Sequence, residues 1–150
     1  MKAKTEEEFI KDFKESVPSV LAVANYLRSQ GLKVQVGDTE YQDPETYEDK
    51  GDIWVMKEDG TKDYRVEVRQ LKHEHFTCAD DFRYPVMTHY FCHDWAKLRP
   101  KPEWVFIVNK DCTCAAKIKC GNAVANWIVT HAPKYASYAV MKDSPEYIAL

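Results

Sequence analysis

The sequence predicts an α/β fold in which a mixed sheet lies between helices. Three stretches support this class. Residues 5–30 carry apolar side chains at helical spacing, residues 51–70 contain two strand-like runs joined by an Asp-Gly turn, and residues 104–119 contain an apolar run followed by another strand-like run. Helical and strand patterns that follow one another along a chain are typical of a sheet covered by helices.

The length and composition favour one domain that spans residues 1–150. The hydrophobic fraction of 45% and the charged fraction of 30% are typical of globular proteins and argue against disorder. The net charge of −3 lacks the basic excess of proteins that coat nucleic acids, although it is compatible with a local basic patch. No apolar run is long enough to span a bilayer and no apolar leader is present, so we expect a cytoplasmic protein without a membrane span.

The N-terminal part of the chain is predicted to form two helices. Thr5 is a candidate N-cap, and the acidic residues that follow it suit the first turn of a helix. Because helical geometry is disfavoured for a residue that precedes proline, we expect a break at Ser16 or Val17. A second helix is then expected over residues 18–30, with Gly31 as its C-terminal stop.

Three strands are expected next. Residues 32–36 alternate apolar and polar side chains, as a half-buried strand does, and residues 53–56 and 64–68 are rich in β-branched and aromatic side chains. The turn Glu58-Asp59-Gly60-Thr61 makes the last two a hairpin, and residues 32–36 are expected to pair with residues 53–56. Residues 37–50 are acidic and rich in turn-forming side chains, which indicates a surface loop.

The second half of the chain contains the predicted central strand, residues 104–108, whose run Trp-Val-Phe-Ile-Val is continuous and apolar. Residues 114–119 are expected to return beside it as a hairpin. Before it, we predict an extended segment at 86–92 and a helix or turn at 93–98. After it, we predict a helix that runs from Gly121 to His131 and is ended by Pro133, and then a strand at 137–141.

Two carboxylates are prominent in the predicted hairpin. Asp52 begins the first strand and Glu67 lies in the middle of the second, so hairpin pairing is expected to bring them together. Alternation puts Arg65, Glu67 and Arg69 on one face of the second strand and the intervening valines on the other. A pair of carboxylates suits a hard cation. The alternative is that Asp52 merely begins a strand and that Glu67 lies on a solvated sheet face.

The five cysteines are expected to be reduced thiols, because their number is odd and no leader directs the chain to an oxidising compartment. Three short spacings bring potential zinc ligands together, but none is the paired Cys-x-x-Cys spacing of a structural zinc site. Buried small thiols are the favoured interpretation, and a mixed zinc site is the alternative. The spacings are His73-x-His75, Cys92-His93 and Cys112-x-Cys114.

The order of the predicted elements, with Gly51-Asp52-Ile53-Trp54-Val55 followed by Arg65-Val66-Glu67-Val68-Arg69, resembles the PD-(D/E)xK nuclease superfamily. The resemblance covers most of the chain and implies a restriction-endonuclease-like αβββαβ core. It implies that Asp52 and Glu67 are metal ligands, that the carbonyl of Val68 is a further ligand, and that Arg69 lies where the family has its lysine. The runs Phe82-x-Tyr84-Pro85 and Val105-Phe106-Ile107-Val108-Asn109 look like those of small phage or bacterial members.

The resemblance implies a nuclease that depends on Mg²⁺ (or Mn²⁺) and hydrolyses DNA phosphodiesters, with Asp52, Glu67 and Arg69 as catalytic residues. A bound ion polarises a phosphodiester and acidifies a water, and a cation at Arg69 stabilises the charge that develops. Because a guanidinium stays protonated, Arg69 cannot replace a lysine as a base. Some family members add an acid from the first helix, and only Asp12 or Glu15 can substitute for it here.

These departures from the family pattern leave two functions open. One is a nuclease with an altered active site, with DNA as its partner and a dimer among the oligomeric states that the sequence permits. The other is a non-catalytic module that keeps the nuclease fold and binds a protein partner through residues 37–50 and exposed aromatic side chains. A set of basic residues would form a phosphate-binding face in the first case and solvated charges in the second: Arg83, Lys97, Arg99, Lys101, Lys110, Lys117 and Lys119.

Overall fold

The computed structural model describes residues 5–37, 52–131 and 136–150, and within them it confirms the predicted α/β class. Most of the expected surface loop, residues 38–50, lies outside the described residues. No helix in the described part of the chain is long and apolar enough to cross a bilayer. In chain order the elements are α1 (Glu6–Ser29), β1 (Lys33–Val36), β2 (Ile53–Met56), β3 (Lys62–Gln70), β4 (Val86–Phe91), α2 (Cys92–Lys97), β5 (Trp104–Val108), β6 (Cys114–Lys119), a 3₁₀ helix (Gly121–Asn126), β7 (Ile128–Thr130), β8 (Ser137–Met141) and β9 (Glu146–Ala149).

Helix α1 is continuous, so the predicted break at Ser16 or Val17 is wrong. Pro18 lies inside the helix and removes one backbone N–H donor. The half of the helix that follows it buries Val23 and Leu27 against β2 and β3. Full burial of an aliphatic side chain contributes about 1.5–3 kcal/mol, so two of them offset the cost of about 3 kcal/mol for an interior proline.

The two ends of α1 follow the sequence prediction. Thr5 Oγ1 accepts a hydrogen bond from the backbone N–H of Glu8 (3.2 Å), and the Glu8 carboxylate accepts one from the backbone N–H of Thr5 (3.3 Å). This reciprocal pair is a capping box. After the helix, Gly31 adopts a φ of +84°, a left-handed conformation that lacks a steric penalty only for glycine, and the chain turns into β1.

The larger sheet has six strands in the order β1-β2-β3-β5-β6-β9. β3 and β5 run parallel, whereas the other neighbours are antiparallel, so the sheet is mixed as predicted. The pairing of β1 with β2, the β2–β3 hairpin and the β5–β6 hairpin are confirmed. The edge strand β9 was not predicted, and it pairs with β6.

The smaller sheet has the order β4-β8-β7. The predicted extended segment at 86–92, helix at 93–98 and strand at 137–141 correspond to β4, α2 and β8. The predicted helix from Gly121 to His131 is wrong, because a 3₁₀ helix ends at Asn126 and β7 follows. The β-branched run at 128–130 favours a strand, and its partner β8 comes later in the chain. Pro133, expected to end the helix, lies outside the described residues.

Two apolar cores connect these layers. On one face of the larger sheet, α1 packs against side chains that include Ile53 and Val66. On the other face, β5 and β6 pack against the smaller sheet and α2 through side chains that include Met87, Trp95 and Ile107. The second face is therefore covered by a small sheet and a short helix, whereas helices alone were expected. This second layer positions the site, because the ring of Tyr90 on β4 contacts the guanidinium of Arg69 on β3.

Candidate functional site

Asp52 and Glu67 meet at the point where β2 begins beside β3. The strand register pairs Ile53 with Val66, which puts Asp52, the residue before β2, directly opposite Glu67. The backbone N–H of Asp52 lies 3.4 Å from Glu67 Oε1, and the Asp52 carboxylate accepts a hydrogen bond from the backbone N–H of Val68 (2.9 Å). The prediction that hairpin pairing brings these two residues together is confirmed, and their role as metal ligands stays a prediction.

Glu67 is buried, so the alternative of a solvated sheet face is wrong. Its exposed fraction is 4%, and that of Arg65 on the same face of β3 is 1%. Arg65 Nε donates a hydrogen bond of 2.5 Å to Glu67 Oε1, and its Nη1 lies 3.4 Å from the carbonyl oxygen of Pro100. The smaller sheet and α2 cover this face, which sequence alternation within β3 cannot reveal. Glu67 therefore forms a buried ion pair with Arg65.

Arg69 lies next to the smaller sheet. Its guanidinium carbon is 3.9 Å from the centre of the Tyr90 ring, a cation–π contact that fixes the plane of the guanidinium. Burial raises the pKa of the Tyr90 phenol, and the negative charge of Glu67 raises it further. Tyr90 therefore stays protonated at working pH and can donate a hydrogen bond. Arg69 and Tyr90 together form one wall of the site.

The backbone of Val68 faces the same side as Asp52. The carbonyl of Arg65 accepts a hydrogen bond from the residue before β5 (2.8 Å), and the N–H of Leu71 donates to the last residue of β5 (2.9 Å). Because backbone groups of successive strand residues point to alternate sides, Val68 points the other way, toward the start of β2. The carbonyl implied as a metal ligand is thus on the side of the two carboxylates.

The groups that line one cleft of about 380 Å³ include Asp52, Glu67, Val68, Arg69 and Tyr90. Lys72 also lines this cleft. Lys72 was not predicted as a site residue, because it lies beyond the end of β3, where strand alternation no longer indicates the direction of a side chain. Its Nζ is 2.8 Å from a carboxylate oxygen of Glu15 on α1, so the acid considered as a substitute ligand is held by a lysine. The side chain of Asp12, the other candidate acid, lies outside the described part of the structure.

Gln70 lines the cleft but directs its amide elsewhere. Its Nε2 donates to the carbonyl oxygens of Asn109 (3.3 Å) and Lys110 (3.0 Å) in the β5–β6 turn. The β3–β5 register is regular as far as Gln70, so no bulge turns this side chain toward the carboxylates. It supports the turn and is not a candidate ligand.

The histidines and cysteines considered for zinc are not brought together. Within the described residues, no group of three or more His, Cys, Asp or Glu side chains is placed to hold a metal ion. All five cysteines are free thiols. Burial raises the pKa of Cys120 to about 12 and also raises the pKa of Cys112 and Cys114, which keeps these thiols neutral. His75 instead contacts Asp111, with 2.9 Å between Nδ1 and Oδ2.

The basic residues singled out in the sequence do not form one face. Arg83 is ion-paired with Glu74 (2.6 Å), and Lys117 lies 4.0 Å above the ring of Trp104. Lys97 and Arg99, by contrast, line a second cavity, which also contains Arg65 and Arg69.

Comparison with known proteins finds no family model, no curated protein and no solved structure that matches this chain. The function is therefore argued from the geometry of the site.

Proposed function

We propose that this chain is a nuclease-like domain of the PD-(D/E)xK type, which binds Mg²⁺ (or Mn²⁺) at Asp52 and Glu67 and hydrolyses DNA phosphodiesters with an altered active site. The observation that carries this proposal is that Asp52, Glu67 and Val68 line one cleft, in which the Asp52 carboxylate accepts a hydrogen bond from the Val68 backbone and Glu67 Oε1 lies 3.4 Å from the Asp52 backbone nitrogen. The order of elements supports it too, because α1, β1, β2, β3, α2 and β5 follow the αβββαβ order of the family, with β4 inserted before α2.

The oxygen atoms in the cleft fit a hard cation. Proteins commonly hold Mg²⁺ by one or two carboxylates and leave its remaining positions to waters and substrate phosphates. Asp52, Glu67 and the carbonyl of Val68 would be the ligands here. An ionised carboxylate has about four acceptor positions, so the hydrogen bond from Arg65 does not exhaust those of Glu67. The bound ion would polarise a phosphodiester and acidify a water.

The cations around the cleft are the feature in which this site differs from the family motif. Arg69, held against Tyr90, would stabilise the negative charge that develops on the phosphate oxygens. Arg65 neutralises part of the charge of Glu67, which weakens the attraction of the carboxylate pair for a divalent ion. Lys72 places an amine in the same cleft as the carboxylates, although the family motif has its lysine at the position of Arg69. We therefore expect a lower metal affinity than two unpaired carboxylates would give.

Metal binding is tested by the melting temperature of the protein in Mg²⁺ or Mn²⁺. A ligand at ten times its dissociation constant stabilises the native state by about 1.4 kcal/mol, which raises the melting temperature by about 3–5 °C in a chain of this size. Asp52→Asn removes the negative charge of one ligand and should abolish the increase. Asp63→Asn is the matched control, because Asp63 is an exposed aspartate at the other end of β3. No increase in the wild type at millimolar metal would contradict the proposed site.

Hydrolysis is tested separately with end-labelled single-stranded and duplex DNA in Mg²⁺. The wild type and Asp63→Asn are expected to cut, and Asp52→Asn is expected to lose the activity. Cleavage that persists in Asp52→Asn would point to another site or to a contaminant. The substitution is made at Asp52 because Glu67 is buried beside Arg65, where a change also affects folding.

The second candidate is a non-catalytic module that binds a protein partner. The observation that favours it is the set of exposed apolar side chains on and next to the smaller sheet, which includes Phe91, Val129 and Met141, exposed by 41%, 48% and 51%. Such a module would show no metal-dependent cleavage, and Asp52→Asn would leave its function unchanged.

A further inference from the structure

We propose that the cavity formed by Arg69 of β3, Lys97 of α2 and Arg99 binds a phosphate group of a nucleotide strand. This inference rests on the proposed function, since it names a substrate contact for the same site. The cavity has a volume of about 580 Å³, is open on one side, and lies beside the carboxylate cleft. We call it the cationic groove.

Three cations of the groove have no acidic partner in the part of the chain that the structure describes. Among the described residues, Arg69, Lys97 and Arg99 form no ion pair with a carboxylate. Of the described residues that line the groove, one is an acid, Asp94, whose Oδ1 lies 3.2 Å from His93 Nε2. Cations that converge on one cavity and outnumber its carboxylates repel one another, and an anion bound between them relieves that repulsion.

The base of the groove is fixed by buried groups. Arg65, exposed by only 1%, lines it from β3, and its guanidinium is held by Glu67. Leu98 is buried between the two exposed cations and anchors the chain that carries them. The floor of the groove is therefore formed by buried groups, one of which is held in an ion pair.

The local contacts of Lys97 and Arg99 do not use up the capacity of these side chains to bind an anion. Lys97 lies in the last turn of α2, where a positive charge suits the helix dipole, and Arg99 Nη1 donates to the carbonyl oxygen of Leu98 (2.7 Å). One such bond uses only one of the five N–H donors of a guanidinium. The positive charge also affects neighbouring Lys101. Burial lowers the pKa of Lys101, and the positive charges of Arg99 and Arg65 lower it further.

A phosphate is the anion that this geometry fits best. Guanidinium groups donate two parallel hydrogen bonds to phosphate oxygens. Two of the three cations of the groove are arginines, Arg99 at its rim and Arg69 in its wall. Arg69 and Tyr90 line both the groove and the carboxylate cleft. A strand with one phosphate in the cleft would thus place another phosphate in the groove. That phosphate is either a terminal monoester or an internal diester.

The test is the binding of a short single-stranded oligonucleotide, labelled at its 3′ end, to K97A/R99A in EDTA and low salt. One form of the probe carries a 5′-phosphate and the other a 5′-hydroxyl. Both substituted side chains are exposed, so the variant should fold, which far-UV circular dichroism checks. The matched control is R28A/K57A, which removes one exposed arginine and one exposed lysine outside the groove.

We expect K97A/R99A to weaken binding roughly tenfold or more and to reduce the slope of log Kd against log salt by about 1.4, while the control changes neither. Weakening of both probes assigns the groove to an internal diester, and weakening of the 5′-phosphorylated probe alone assigns it to a terminal monoester. If the wild type binds neither probe, or if K97A/R99A binds like the wild type or like the control, the proposal is overturned.

The same variants separate this inference from the proposed hydrolysis. Asp52→Asn should bind the probe in EDTA at least as tightly as the wild type, because it removes a negative charge from the cleft and leaves the groove intact, yet it should fail to cut DNA in Mg²⁺. A wild type that does not cut DNA, but whose binding of the probe depends on Lys97 and Arg99, would support the phosphate-binding groove and overturn the proposed hydrolysis. A wild type that cuts DNA in Mg²⁺, but whose binding of the probe does not depend on Lys97 and Arg99, would support the nuclease and overturn the groove.

Discussion

At the scale of single residues, Arg65 and Glu67 form a charged pair inside the protein. Both are almost completely buried, and the Nε–Oε1 distance is 2.5 Å. Burial of two charges carries a desolvation cost of several kcal/mol for each ion, which their attraction offsets only while both are present. The pair is therefore a sensitive point of the structure.

Arg65→Met should lower the free energy of unfolding by about 3–5 kcal/mol, because it leaves the carboxylate of Glu67 buried without its guanidinium. Urea denaturation measures the loss. Replacing both residues, in R65M/E67M, should restore much of the stability, since an apolar pair of similar volume needs no compensation. If the single variant is as stable as the double variant, the buried carboxylate is not the cause of the loss.

His89 is the other residue whose environment predicts a measurable effect. It is exposed by 3%, its ring lies 4.2 Å from that of Trp127, and neither ring nitrogen has a hydrogen-bond partner among the described residues. Burial lowers the pKa of His89 from 6.5 to about 4. The Met87 backbone opposes this by a smaller amount, and the positive charge of Arg69, which has the least effect of the three, lowers the pKa further. The folded protein therefore holds this imidazole neutral.

The consequence is a loss of stability in acid. Between pH 6.5 and 4 the unfolded chain binds a proton at His89 that the folded chain does not, so stability is full above pH 6.5 and falls as the pH drops toward 4. We expect a loss of about 2–3 kcal/mol between pH 7.5 and 4.5 by urea denaturation. His89→Phe should remove most of this dependence, whereas His73→Gln, a change at an exposed histidine, should keep it. An unchanged pH dependence in His89→Phe would contradict the argument.

At the scale of secondary-structure elements, the β5–β6 turn depends on one buried side chain. Asn109 Nδ2 donates to the carbonyl oxygen of Phe76 (3.0 Å) and to Thr113 Oγ1 (2.9 Å). Its Oδ1 accepts from the backbone N–H groups of Thr113 (2.9 Å) and Cys114 (3.2 Å). The amide thus closes the turn and ties it to the segment after β3.

Asn109→Ala should lower the free energy of unfolding by about 2–4 kcal/mol, because it leaves backbone groups without partners in a buried place, at about 1–3 kcal/mol each. Thermal or urea unfolding measures the effect. Asn126→Ala, at an exposed asparagine, should change stability by less than about 0.5 kcal/mol. Equal stability of the two variants would show that the turn does not need the amide.

Elements with a strong local pattern were predicted from the sequence, and elements that depend on partners were not. The β2–β3 hairpin, β5 and β6 carry alternation, a turn signal or a continuous apolar run. α1 continues through Pro18 because its second half is buried against the sheet, and the run after Asn126 is a strand because β8 pairs with it. Both errors have the same physical origin, since tertiary contacts outweigh local preference.

At the scale of the whole molecule, the two sheets share one core. Val105 and Ile107 of the larger sheet lie in the same apolar cluster as Met87 and Tyr90 of the smaller sheet and Trp95 of α2. Neither sheet can lose this contact without exposing apolar surface of the other. The expectation that residues 1–150 form one domain therefore predicts cooperative unfolding.

We expect one unfolding transition with a single midpoint by far-UV circular dichroism and by tryptophan fluorescence. The variant W95F/W127F leaves Trp54 and Trp104 as reporters of the larger sheet, and its midpoint should also agree between the two methods. Two separated midpoints in the wild type would show that the smaller sheet and α2 unfold on their own.

The sequence by itself determined the meeting of Asp52 and Glu67. Strand alternation has a period of two residues, and a hairpin fixes the register of its strands, so two acids in adjacent strands were placed on one face without knowledge of the rest of the chain. Only the tertiary structure decided that Arg65 binds Glu67 in a buried pair, that Arg69 lies on Tyr90, and that Lys97 and Arg99 reach the same cavity. These contacts depend on how the smaller sheet and α2 pack on the larger sheet, and side chains brought together by packing across layers leave no periodic pattern in the sequence.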